Sequence, residues 1–135
     1  MTDARSRLER ADHGVLCTIH PTRGIDSVPV CFVVLGDLVA VPIDTVKPKR
    51  STRLARLRNL EADPRATLLV EHWDADDWSA LWWVRVSLLH VEVDAAEIAQ
   101  LTPLLAAKYP QYAAGGIESV LTLHIADVTG WSASP

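Results

Sequence analysis

The chain has 135 residues, 49% of them apolar and 22% charged, the length of one ordinary domain and too rich in apolar side chains for a disordered polymer. Seventeen acidic against 13 basic residues leave a formal charge of −4, which speaks against general affinity for nucleic acid unless positive charge is gathered locally. It is gathered: Lys47, Lys49, Arg50, Arg53, Arg56 and Arg58 fall within a dozen positions, so the rest of the chain is strongly acidic. No apolar run approaches the roughly 18 residues that span a bilayer, and the first residues form no apolar signal core, so the expectation is a soluble cytoplasmic protein without a membrane partner.

In chain order, Asp3 to Ala11 predicts a short helix anchored by Leu8 and ended by Asp12-His13-Gly14. Val15 to His20 alternates as a strand, Pro21 to Gly24 turns, and Ser27 to Val34 predicts a second strand in which Pro29 demands an edge or a bulge. With Leu38 to Ile43 after the Gly36-Asp37 turn, the first forty-odd residues read as a three-stranded antiparallel meander. The period then changes: Leu54, Leu57 and Leu60 lie three apart in a helix that Ser51 or Thr52 would cap and Asp63-Pro64 would stop.

Ala66 to Glu71 predicts the next strand, followed by the polar turn Asp74 to Asp77 and a long apolar segment from Leu81 to Val93. Within that segment Trp82, Val84, Val86 and Leu88 share one parity and Leu89, Val91 and Val93 the other, so a bulge near Leu88 is predicted. Asp94 should cap a helix through Ala107, with Glu97 completing a capping box and Pro103 kinking it. A last strand is expected from Ser119 to about Val128. Six strands with inserted helices favour a mainly β domain, a six-stranded antiparallel barrel over residues 1–135, because closure removes sheet edges.

Five dispersed histidines with no pair at ligand spacing and no Cys-x-x-Cys argue against a metal site, and no nucleophile elbow or phosphate-cradling glycine motif is present. Cys17 and Cys31 lie in apolar alternating stretches and read as reduced core residues. The acidic turn Asp74, Asp76 and Asp77 reads as a solvated face. The basic cluster is different. Lys47 and Lys49 precede a helix whose first turn carries Arg50 and Arg53, so cations and free amides can converge on one phosphate or carboxylate, although those cations oppose the helix dipole. Strand alternation sends Trp82 and Trp83 to opposite faces, so one meets the core while the other, with Arg85, needs a partner subunit, a ligand ring or water. Without interleaved aromatics in the basic run, nucleic-acid binding ranks last.

Three stretches then carry a resemblance: Asp44-Thr45-Val46-Lys47-Pro48-Lys49-Arg50, Leu57-Arg58-Asn59-Leu60-Glu61-Ala62-Asp63-Pro64-Arg65, and Asp77-Trp78-Ser79-Ala80-Leu81-Trp82-Trp83-Val84-Arg85. The chain resembles the pyridoxamine 5′-phosphate oxidase-like FMN/F420-binding split-barrel family, nearest its actinobacterial branch of F420-dependent oxidoreductases. The resemblance implies a split β-barrel homodimer with cofactor sites in the subunit interface and a small-molecule substrate. It further implies that Lys47, Lys49, Arg50 and Arg53 meet the cofactor phosphate, that Val28, Pro29, Val30 and Cys31 lie along its ring, and that Trp82, Trp83 and Arg85 belong to the interface and pocket. The activity implied is hydride transfer between coenzyme F420 and an electron-poor acceptor. FMN-dependent oxidation of the pyridoxamine-phosphate oxidase type, and a cofactor carrier without turnover, remain as alternatives.

Overall fold

The computed structural model describes the backbone of residues 3–44 and 50–135 and the side chains of residues 3–43 and 55–135. Helix α1 (Ala4–Arg10) opens on Asp3, whose carboxylate accepts the Ser6 N–H at 2.7 Å and so satisfies one of the donors a helix start leaves without a partner. Its one buried residue, Leu8, inserts fully into the barrel core, a burial worth about 1.5–3 kcal/mol. Strands β1 (Gly14–His20) and β2 (Gly24–Val30) form a hairpin. His20 Nδ1 accepts the Thr22 and Arg23 N–H groups there, and Gly24 supplies the positive φ of +104° that closes the turn. Strands β3 (Val33–Leu35) and β4 (Leu38–Asp44) form a second hairpin. Helix α2 (Arg50–Ala62), β5 (Arg65–His72), β6 (Trp82–His90), helix α3 (Ala95–Lys108) and the long β7 (Ile117–Ser132) complete the chain.

All seven strands belong to one antiparallel sheet in the order β2-β1-β5-β6-β7-β4-β3. Its two edges, β2 and β3, are consecutive in sequence and joined only by Cys31 and Phe32, so the sheet rolls until its ends approach there without pairing. That is a split barrel. Leu16, Phe32, Leu68, Val86 and Leu123, all fully buried, fill the interior. A second cluster forms where Leu101 and Leu105 of α3 cover Val33 and Ala40 of the β3–β4 hairpin.

The mainly β class and the inserted helices agree with the sequence reading; several details do not. Among the described residues there are seven strands rather than six, because the run from Ser27 to Val34 is broken at Cys31-Phe32. The meander is therefore two hairpins at opposite edges, and the Pro29 signal is explained by β2 being an edge strand. Full closure is absent, since β2 and β3 do not pair. Helix α2 starts at Arg50, which puts Ser51 and Thr52 inside it rather than at its cap. The bulge lies at the expected level but on the neighbouring strand: Ser87 pairs with Asp127 and Leu88 with Ile125, so Ala126 is the extra residue and β6 runs regularly to His90.

Asp94 caps α3 through the Glu97 N–H at 2.9 Å, the main-chain half of the capping box. Cys17 and Cys31 form no disulfide among the described residues, but both are only half-buried, and the Cys17 thiol lies 3.3 Å from Ser27 Oγ rather than in the core. They fall outside the core because the inward parity of β1 belongs to Leu16 and Thr18.

Candidate functional site

Lys47 and Lys49 lie outside the described residues, as do the side chains of Arg50 and Arg53. The backbone around them shows that β4 ends at Asp44 and α2 begins at Arg50, so the basic run leads directly into the N-terminus of a 13-residue helix. The first amides of such a helix have no intrahelical acceptor, and the helix dipole adds positive potential. The other end of α2 is held tightly. Leu60 is buried in the barrel core, and Asn59, only 2% exposed, donates to Thr18 Oγ1 at 3.0 Å and to Asp26 Oδ2 at 2.8 Å.

Four residues after Asn59 the chain is pinned again. Asp63 accepts the Arg65 main-chain N–H at 3.1 Å and its guanidinium at 2.7 Å, while the Pro64 carbonyl accepts the His90 N–H. The Asn59-to-Arg65 stretch is therefore a clamp that holds the C-terminal end of α2 on the barrel. The carboxyl of Asp26 is held below its usual range by the hydrogen bond from Asn59, with Arg23 adding to it. That of Asp63 is brought down to about 2, chiefly by the Arg65 side chain.

Of the segment expected along a cofactor ring, Val28 and Val30 point into the core and Pro29 points out. What β2 offers a ligand is its main-chain edge, since it pairs only with β1 among the described residues. Just beyond, at the split, Tyr109 and Lys108 hold Phe32 by its backbone. The phenol accepts the Phe32 N–H at 3.0 Å and donates to the Asp12 carbonyl at 2.7 Å, and Lys108 Nζ donates to the Phe32 carbonyl at 2.8 Å while lying 4.1 Å from the Phe32 ring centre. Burial lowers the Lys108 ammonium from its ordinary range and pushes the Tyr109 phenol up to about 12. Their signal is long-range, 76 and 77 positions from Phe32, and no local pattern announces it.

Strand β6 separates its two tryptophans as alternation requires. Trp82 packs against the core and under α1, with the Arg7 guanidinium 5.2 Å from its ring centre and His72 stacked at 6.1 Å. Trp83 lies on the outer face, opposite Trp131 of β7, with Arg85 5.2 Å from its ring centre. The outer face continues through the exposed Leu69, Leu89 and Ile25. Strands β1 and β5 intervene between β2 and β6, so Val28 to Cys31 and Trp82 to Arg85 stand three strand spacings apart, about 14 Å, and do not form one pocket within a single chain. The acidic turn needs no ion: Asp74 Oδ1 accepts the Asp76 and Asp77 N–H groups, and Asp77 accepts from Ser79.

Sequence reasoning missed a cleft at the upper end of the sheet, where β1 and β6 begin and β5 ends. It has a volume of about 300 Å3 and opens between the α1–β1 connection and the end of β5, with Trp82 in its wall. An adjoining hollow of about 240 Å3 is lined by Arg7, Arg10, Ala11 and Trp82.

No family model matches the sequence, and no curated protein matches it at significant similarity. Solved structures do share its fold. A conserved hypothetical protein, Rv2991 from Mycobacterium tuberculosis, superposes with a TM-score of 0.71 at 16% identity over 98% of this chain and 86% of that one. An F420 reductase gives 0.63 at 18% identity over 96% and 98% of the two chains. HutZ, the heme storage protein from Vibrio cholerae, gives 0.66 at 13% identity over 93% and 89%. FMN- and FAD-binding proteins are among the other neighbours. At these identities the likeness establishes the split-barrel fold. No helix among the described residues is long and apolar enough to cross a membrane.

Proposed function

We propose that this protein is an F420-dependent oxidoreductase that transfers hydride between the deazaflavin and a small electron-poor organic acceptor. The observation that carries the reading is the run from β4 into α2. In the sequence, two lysines precede and two arginines belong to the first turn of a helix whose opposite end is clamped to the barrel by Asn59, and the free amides of a helix start favour an anion. Lys47, Lys49, Arg50 and Arg53 would hold the cofactor phosphate there. The ring would lie along the main-chain edge of β2 at Val28 to Cys31, next to Phe32, whose backbone Lys108 and Tyr109 hold. When bound, reduced F420 supplies the hydride, and the protein's part is to position it and exclude water.

Trp83 and Arg85 fit this reading if two copies pair through the outer face, because a second chain brings its own β6 toward the β2 edge of the first. The half-exposed Trp131, Leu69, Leu89 and Ile25 make that face a candidate homodimer interface. Sedimentation at micromolar concentration with cofactor present is expected to give a dimer, and a monomer overturns this part of the reading.

Titrations followed by absorbance and fluorescence test the cofactor assignment. F420 should bind more tightly than FMN, and Lys49→Ala should weaken binding by roughly ten- to a hundredfold, the effect of one charge-assisted contact. The melting temperature of the cofactor-free variant should hardly change. Tighter FMN binding, or unchanged affinity in Lys49→Ala, overturns it. A carrier reading draws support from the likeness to a heme storage protein. It gains if bound reduced F420 is not oxidised by any of a panel of enones and quinones.

A further inference from the structure

We propose that the cleft at the upper end of the sheet is a binding site for a small organic carboxylate, separate from the phosphate seat at α2. Arg7 and Arg10 are three positions apart on α1 and both line the hollow beside Trp82. Neither has an ion-pair partner among the described residues, whereas Arg5 on the same helix bonds Glu9 at 3.0 Å. Two like charges at this spacing repel. Both stand in the last turn of α1, where the helix dipole favours cations, and their mutual repulsion offsets part of that gain.

The cleft has a complementary apolar side. Ala11 and the inward-facing Val70 line the cleft with the Trp82 indole, and its volume of about 300 Å3 is at the lower end for small-molecule sites. His13 and His72 add two rings that can donate hydrogen bonds. Two carboxylates also line the cleft. Asp12 lies within electrostatic reach of Lys108, and Glu71 belongs to the outward parity of β5, opposite Trp83; neither forms an ion pair with Arg7 or Arg10. Arg7 rests on the Trp82 ring and Arg10 is exposed, so both guanidinium groups keep hydrogen-bonding capacity toward the hollow. An apolar wall, a tryptophan edge and two unpaired guanidinium groups recognise an apolar body that ends in a carboxylate. The site goes beyond the cofactor reading and does not depend on it.

Calorimetric titration of the full chain with trans-cinnamate and with its neutral counterpart cinnamamide tests the proposal. Cinnamate should bind at least tenfold more tightly than the amide. Arg10→Gln, at an exposed position, and Arg7→Gln should each lower cinnamate affinity by roughly tenfold or more, while thermal melts show both variants folded. Lys49→Ala should leave cinnamate binding unchanged. Equal affinity for acid and amide, no binding by the unmodified protein, or full affinity in the Arg7→Gln/Arg10→Gln double variant overturns the proposal. Loss of cinnamate binding in Lys49→Ala also overturns it, by placing the anion at α2. Cinnamate binding in a protein that fails to bind F420 supports the cleft and removes the oxidoreductase reading.

Discussion

At the lower end of the sheet, where α2 meets β1, β2 and β5, the prominent polar side chains have partners: Asn59 with Thr18 and Asp26, Arg23 with Asp26, and Asp63 with Arg65. At the upper end, under α1, Arg7 and Arg10 line hollows that Asp12 and Glu71 also border, yet neither arginine forms an ion pair among the described residues. Both ends contain arginine, carboxylate and histidine in similar number, so composition does not distinguish them. Pairing does. Where the fold consumes the hydrogen-bonding capacity of its own polar groups the role is structural, and where it leaves charge unpaired beside apolar surface there is capacity for a ligand.

The largest effect should come from the apolar residue beneath the upper end. Leu8→Ala opens a void in the fully packed core and should cost about 2–5 kcal/mol of stability in denaturant unfolding, against almost nothing for its neighbour Arg10. Asn59→Ala tests the lower end. It strips partners from the buried Thr18 hydroxyl and from Asp26 and should cost about 1–3 kcal/mol. A loss as small as that of Arg10→Ala would break the comparison.

The pH dependence sharpens the same contrast. Asp26 and Asp63 have depressed folded-state pKa values, so the stability they contribute is present above the ordinary carboxylate range and is lost as pH falls, for Asp63 down toward about 2. Acid titration of unfolding should show this loss, and Asn59→Ala should shrink it because Asn59 is the main cause at Asp26. At the split the sign reverses. The Tyr109 phenol is raised to about 12, so its contribution is intact below pH 10 and is lost as pH rises toward that value. Tyr109→Phe should lower stability by about 1 kcal/mol near neutrality and flatten the alkaline side. The smallest effect is Arg10→Ala, which should stay within about 0.5 kcal/mol of the unmodified protein.

How far these regions were legible follows from the range of the interactions. The helix limits at Asp94 and Asp63, the strand at Val15 to His20 and the edge position of Pro29 were readable because capping, alternation and the missing proline donor act within a few residues. The bulge was legible in level and not in strand, since a slip in hydrophobic parity shows that a register must change without showing which partner carries the extra residue. The segment from Ser27 to Val34 looked like one strand because its apolar pattern is continuous. Only the rolled sheet, with Tyr109 and Lys108 seizing Phe32, breaks it in two.

The sequence by itself determined that this is a mainly β domain with a concentrated basic run at a helix start, because periodicity and local charge are properties of neighbouring residues. The tertiary structure alone decided that β2 and β3 lie at opposite edges, that Trp82 and Trp83 serve different surfaces, and that Arg7, Arg10 and Trp82 share a cleft. Those are contacts between residues far apart in the chain, and no local propensity encodes which distant partner a side chain will meet.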